Sequence, residues 1–193
     1  MARSNIAVDD SVAKSLADEA SRANKTMFGF SNDCLDAVLR ILRDGGSIEE
    51  VYPYWLQSKM SKDVDGMPLL NRGIVDSMVR EFFPNHSEKI LKIFFDAGVL
   101  FGSYVKMKFK NMSELWQLVK LFHMTLPARL FEMDRVVDSS GSEIFILRYV
   151  SGISADTTNC FAKYFDGLFS CYSSDRRTRT SANGIIEMEI RNV

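Results

Sequence analysis

The stretch "RSNIAVDDSVAKSLADEASRANKTMFGFSNDCLDAVLRIL", Arg3 to Leu42, decides how the chain is read. It opens on a short alternating run, with Ile6 and Val8 on one face against Asn5 and Ala7 on the other. The acidic pair Asp9 and Asp10 follows, and then the period changes. Val12, Leu16, Ala20 and Ala23 recur at helical spacing, so residues 11–23 are expected to form a helix. "NKT" (Asn24–Thr26) reads as a turn, because Asn suits the left-handed residue after a helix and Thr suits the N-cap of the next one. A second helix is expected with Phe30, Cys34, Val38 and Ile41 or Leu42 on one stripe, stopped by "DGG" (Asp44–Gly46). The opening strand has no neighbour to pair with, and even an isolated two-stranded hairpin is marginal in water.

A strand, a helix, a tight turn and a longer helix make a unit too small to bury its own apolar faces. The simplest partner for the strand is the same strand from a second chain, paired antiparallel about a two-fold axis. Ile6 and Val8 then face the core of the pair, and Arg3, Asn5 and Ala7 face outward.

These residues resemble the ribbon-helix-helix family of DNA-binding proteins, the MetJ/Arc class. Val8 stands at the family's last apolar strand position, followed by "DDS". Val12 and Leu16 stand at the core positions of its first helix, and Ala20 at the small residue near that helix's end. "NKT" occupies the family's turn, and Phe30, Cys34 and Leu39 occupy the core positions of its second helix. The register runs without insertion over residues 3–42. The strand departs from the family in being less basic and poorer in Thr, with Ser4 and Ala7, and Gly29 inside the second helix costs roughly 1 kcal/mol against Ala.

The resemblance implies a two-stranded ribbon lying in the major groove of double-stranded DNA. Arg3 would fork onto guanine, Asn5 would bridge adenine, and Ala7 would touch a thymine methyl. Lys25, Thr26 and Met27, at the start of the second helix, would anchor a phosphate through free backbone N–H groups and one added positive charge.

Beyond this unit, Ser47 and Glu50 stand in capping-box spacing before a short helix that Pro53 is expected to disturb. "SKDVDGMPLLNRG" (Ser61–Gly73) reads as a linker, and "IVDSMVREFF" as a short helix stopped by Pro84. From Ser87 to Phe109 the chain is apolar on nearly every side, which suggests a buried helix. An amphipathic helix capped by Ser113 comes next, then a turn and strand at "SGSEIFILRYV", and a helix over Thr157 to Tyr172. "NGIIEMEIR" alternates Ile186, Met188 and Ile190 against Glu187, Glu189 and Arg191, a strand with one wet face. The expected fold is therefore α+β and mostly helical. Residues 1–46 form the ribbon-helix-helix unit, 47–86 a helical linker region, and 87–193 an α+β regulatory or oligomerisation domain.

The run "FILRYVSGISADTTNCFAKYFDGLFSCY" with "NGIIEMEI" weakly resembles ligand-sensing domains of the 4-vinyl reductase type. Those enclose an apolar pocket, so the resemblance implies a small apolar effector without assigning it any residue.

Composition narrows the function classes. With 46% hydrophobic and 25% charged residues the chain is an ordinary globular protein, and its net charge of −1 supplies no field that attracts nucleic acid or membrane. Base reading must then rest on geometry. Cys34, Cys160 and Cys171 form no metal-binding pair and read as reduced core thiols of a cytoplasmic protein without a signal peptide. His86 and His123 have no second ligand at a recognisable spacing, so neither metal nor cofactor is expected. "DRRTRT" (Asp175–Thr180) reads as a solvated hairpin, with phosphate or a second piece of DNA as the alternative. No nucleophile triad, phosphate loop or paired-carboxylate motif supports an enzyme. The expected partners are double-stranded DNA, a second copy in a homodimer or tetramer, and no membrane. The alternative reading is a small-ligand or protein-interaction module whose N-terminal strand only dimerises.

Overall fold

Both N-terminal helices form where their caps place them. In a computed structural model that describes residues 6–63, 72–122, 130–150, 152–181 and 184–191, α1 runs Asp10–Arg22 and α2 runs Met27–Arg43. The chain divides into two compact units, Met1–Tyr52 and Pro53–Val193, described separately below.

In the first unit each helix ends in a Schellman turn. After α1, the Lys25 N–H donates to the Ala20 carbonyl at 2.9 Å and the Asn24 N–H to that of Ser21 at 3.1 Å. Asn24 has φ +53°, the left-handed residue expected there. After α2, Gly46 and Gly45 make the equivalent bonds to Ile41 and Leu42, with Gly45 at φ +82°. α1 packs on α2 over a small contact in which Ala20 alone is fully covered.

α3 (Ile48–Asp63) begins in the first unit and ends in the second. Ser47 caps it, accepting from the Glu49 N–H at 3.2 Å, while the Ser47 N–H reaches back to Glu50 at 3.5 Å. Contrary to expectation, Pro53 does not break the helix, and its ring is wholly buried. The helix expected to stop at Pro84 runs only two residues past it. α4 spans Arg72–Lys108 as two helical stretches joined at a kink, where His86 leaves helical geometry (φ −140°, ψ 27°), so the second stretch starts at Ser87 as expected.

The second unit is a four-stranded antiparallel sheet with helices on one face. β1 (Leu130–Val137), β2 (Glu143–Val150), β3 (Arg176–Ser181) and β4 (Ile185–Arg191) lie in the order β1-β2-β4-β3. β1 was not expected, whereas β3 is one arm of the hairpin expected at Asp175–Thr180, paired antiparallel with β4. α5 (Met112–Phe122) is capped by Asn111, whose side-chain carbonyl accepts from the Glu114 N–H at 2.9 Å; the expected cap, Ser113, instead bonds Glu143 on β2. α6 (Ala155–Ser170) is the expected C-terminal helix, capped by Ser154.

The inner face of the sheet carries Phe131, Met133, Phe145, Leu147, Tyr149, Ile186, Met188 and Ile190, all buried. Alternation on β4 is as expected, with its three apolar residues at 0% exposure. Against this face α6 sets Phe165, which stacks on Phe131 at 6.1 Å and meets Tyr149 edge-on at 5.4 Å. Behind α6, α4 approaches backbone to backbone. A side-chain carbon at Gly98, Gly102 or Gly167 would collide with the carbonyls of Tyr164, Leu168 or Phe95 respectively, so the crossing exists because these three are glycine. No described helix is long and apolar enough to cross a membrane.

Candidate nucleic-acid interface

The resemblance to ribbon-helix-helix proteins implies base contacts at Arg3, Asn5 and Ala7, and phosphate contacts at Lys25, Thr26 and Met27. Arg3 and Asn5 lie outside the described residues. Ala7 is exposed in a segment, residues 6–9, that pairs with no strand among the described residues. Its neighbours Ile6 and Val8 are 68% and 48% exposed. Asp9 ends the segment in extended geometry (φ −63°, ψ 146°) and serves as the α1 N-cap without a side-chain bond. Asp10, in the first turn, suits the positive end of the helix.

The three proposed phosphate contacts are gathered at one point, the entry to α2. Thr26 is its N-cap, and its hydroxyl accepts from the Gly29 N–H at 3.1 Å. That bond satisfies one free donor of the first turn and fixes the direction in which the others point. Met27 is the first helical residue and is exposed, and the first turn contains no acidic side chain to compete for an incoming anion. Lys25 stands one residue before the cap, in the Schellman turn.

Lys25 is not free, however. Its ammonium is hydrogen-bonded to Asp33 on α2 at 2.7 Å. That bond, and then the carboxylate's charge, raise the Lys25 pKa above its ordinary value. The pair is exposed on both sides, so a phosphate could compete for the ammonium at small cost. Arg22 is likewise paired with Glu19 at 2.5 Å, and Arg40 with Asp36 at 2.5 Å. Nothing in local spacing announces the Lys25–Asp33 pair, because it joins a turn residue to a helical residue eight positions on.

Of the apolar residues that the sequence assigns to a core, only Ala20 is fully covered in the single chain. Val12, Leu39 and Leu42 are exposed, Leu16, Phe30, Val38 and Ile41 are half-buried, and Cys34 is exposed as well. Cys34 therefore departs from the expected core thiol, since α2 has no layer above it here. Cys160 behaves as expected: it is fully buried, and desolvation, then the nearby Asp156 charge, push its pKa up to about 12. Cys171 is half-buried, with its sulfur 3.6 Å from the Val99 carbonyl.

Compared with known proteins, the chain matches no family model, no curated protein and no solved structure. The functional reading therefore rests on the residues and geometry described above.

Proposed function

We propose that the chain is a sequence-specific DNA-binding transcriptional regulator of the ribbon-helix-helix kind. Two copies pair through residues 3–8 and lay the resulting ribbon in the major groove, and the C-terminal unit serves oligomerisation or senses a small molecule. One observation carries the reading. Residues 6–42 form a helix pair with both C-terminal turns and the α2 cap made, yet many of their apolar side chains, among them Ile6, Val8, Val12, Leu39 and Leu42, stay open to water. Local structure is finished and burial is not. A second copy of the same segment supplies the missing layer, because the same apolar residues recur across a two-fold axis.

On this reading Arg3 and Asn5 discriminate bases, each by about 1–3 kcal/mol, and the α2 entry at Thr26 and Met27 holds a phosphate on each side. With so little free positive charge, tight binding depends on several units occupying neighbouring half-sites. A gel-shift titration with duplex DNA from the protein's own locus tests this. Arg3→Ala and Asn5→Ala are each expected to weaken binding by about 5- to 150-fold. Native affinity in both variants would remove the ribbon readout.

A second reading has one observation in its favour. Lys25, Arg22 and Arg40 each spend their charge on a neighbouring carboxylate, as in a surface that meets no polyanion. The N-terminal unit would then only dimerise. A chain that sediments as a dimer and leaves DNA unshifted at every concentration decides for it.

A further inference from the structure

The outer face of the sheet carries a charge ladder that stops one strand short. Glu132 on β1 stands opposite Arg148 on β2, Arg148 opposite Glu187 on β4, and Glu187 opposite Arg179 on β3. The sign alternates across all four strands. One step along, Glu189 stands opposite Arg177. Arg148 contacts carboxylates on both sides, Asp134 at 2.8 Å, Glu132 at 3.2 Å and Glu187 at 3.7 Å. At the β3 end the ladder finishes on Arg177 and Arg179, both exposed and neither in an ion pair with a described residue. The third arginine of the strand, Arg176, turns inward and is held by Asp166 of α6 at 3.1 Å.

The two outer strands differ. β1 gives its Met133 carbonyl to the indole N–H of Trp116 on α5, at 2.7 Å. Along β3, the backbone groups of residues 176–180 on the side away from β4 have no partner among the described residues. Charges on an edge strand commonly guard against aggregation. Such a guard needs only charge, whereas here the strand is six residues long, holds an unbroken register with β4 and contains no proline.

We infer that the β3 edge is a docking site for an extended, acidic peptide segment of a partner protein, added antiparallel as a fifth strand. Its carboxylates stand at alternate positions and meet Arg177 and Arg179, continuing the alternation of sign. Residues between them lie beside Thr178 and Thr180, whose row is polar at this edge, since Thr180 bonds Asn159 of α6 at 3.1 Å. Small hydroxyl residues suit those places. A peptide backbone fits better than a polyphosphate, because alternating N–H and C=O groups are satisfied in full only by another strand. A second copy of β3 does not fit, because it would set arginine against arginine. This site is separate from the proposed DNA interface and does not depend on it.

The test uses the full chain and a labelled synthetic peptide in which glutamates alternate with threonines, read by fluorescence anisotropy. The peptide is expected to bind, and the Arg177→Gln/Arg179→Gln variant, which removes the charges without setting carboxylate against carboxylate, to bind it about tenfold or more weakly while still melting as a folded chain. N-methylating the alternate amides that face β3 is expected to abolish binding, while methylating the other set leaves it intact. Absence of binding to the native chain overturns the proposal, as does equal affinity of the two methylated peptides. Two further results overturn it in favour of another occupant. One is loss of duplex DNA binding in the double variant, and the other is a concentration-dependent mass that the double variant loses.

Discussion

The helix pair α1–α2 and the sheet unit are built from the same materials and end differently. Both have capped helix starts, at Thr26 and at Ser154, amphipathic helices and glycine or asparagine at left-handed turns. In the helix pair, Ala20 is covered while Leu35, Leu39 and Leu42 remain exposed. In the sheet unit, Phe145, Leu147, Ile186, Met188 and Ile190 all reach 0% exposure. The difference lies in layers, not in local structure. A sheet with helices on one face closes a core within one chain, whereas two helices leave an apolar side with nothing upon it. Apolar surface left in water forgoes about 25 cal/mol per Å² of stabilisation, so the helix pair gains more from a partner than the sheet unit does.

The comparison breaks most sharply at the glycine crossing of α4 and α6. Gly102→Leu puts a side chain into the Leu168 backbone, which cannot swing aside as a side-chain tip can. The expected loss exceeds about 4 kcal/mol, the range reserved for a core forced apart. It is measured as the unfolding of Trp116 fluorescence in denaturant. A midpoint matching that of the native chain would mean that the sheet unit does not rest on this crossing. The substitution leaves α1 and α2 untouched, so the N-terminal unit should keep its own properties.

Much of this architecture was legible in the sequence, and the exceptions have physical causes. α1, α2, α6, β2 and β4 follow from period and caps, which are local signals. β3 was legible only as a solvated hairpin arm, because its inward residues are Arg176, Thr178 and Thr180 and the alternation carries no apolar contrast. β1 loses its contrast after Met133, where Arg135 takes the next inward position and packs over Trp116. The division of α4 read from Pro84 falls within two residues of the break at His86, although the two halves run on end to end. Within the candidate interface, the turn and cap at Asn24–Thr26 were readable from residue type. Engagement of Lys25 by Asp33 was not, since it joins a turn residue to a helical residue outside the i,i+3 or i,i+4 spacings.

A smaller effect is expected where the sheet unit ties two distant segments together. Asp76 on α4 accepts from the Ser154 N–H at 3.0 Å, the Ser154 hydroxyl at 2.6 Å and the Thr157 hydroxyl at 2.7 Å. Desolvation pushes its pKa up, but the bonds from Ser154 and Thr157 outweigh it and hold the carboxyl below its usual value. A carboxylate lowered in the folded state stabilises the fold above its unfolded pKa, near 3.9. That contribution is lost as pH falls through the folded value. Asp76→Asn should therefore cost about 1–3 kcal/mol at neutral pH, and the gap from the native chain should close in acid below about pH 4. A constant gap across an acid titration would assign the loss to packing instead of charge.

The least disruptive probe reads the contrast without changing a residue. Cys160 is buried in the sheet unit with its thiol pushed up to about 12, so almost none is thiolate at neutral pH and a thiol reagent should leave it unmodified until the unit unfolds. Cys34 is exposed on α2, at a position that a second copy would cover in a ribbon-helix-helix pair. In dilute protein Cys34 should react readily, and its rate should fall as the concentration rises through the range in which sedimentation reports a dimer. Peptide mapping by mass spectrometry assigns each modified thiol, which separates Cys34 from the half-buried Cys171. If Cys34 reacted at one rate on both sides of the dimer transition, association would be using some other surface. The register drawn from Val8 through Leu39 would then be wrong, even if the helix pair itself were correctly placed.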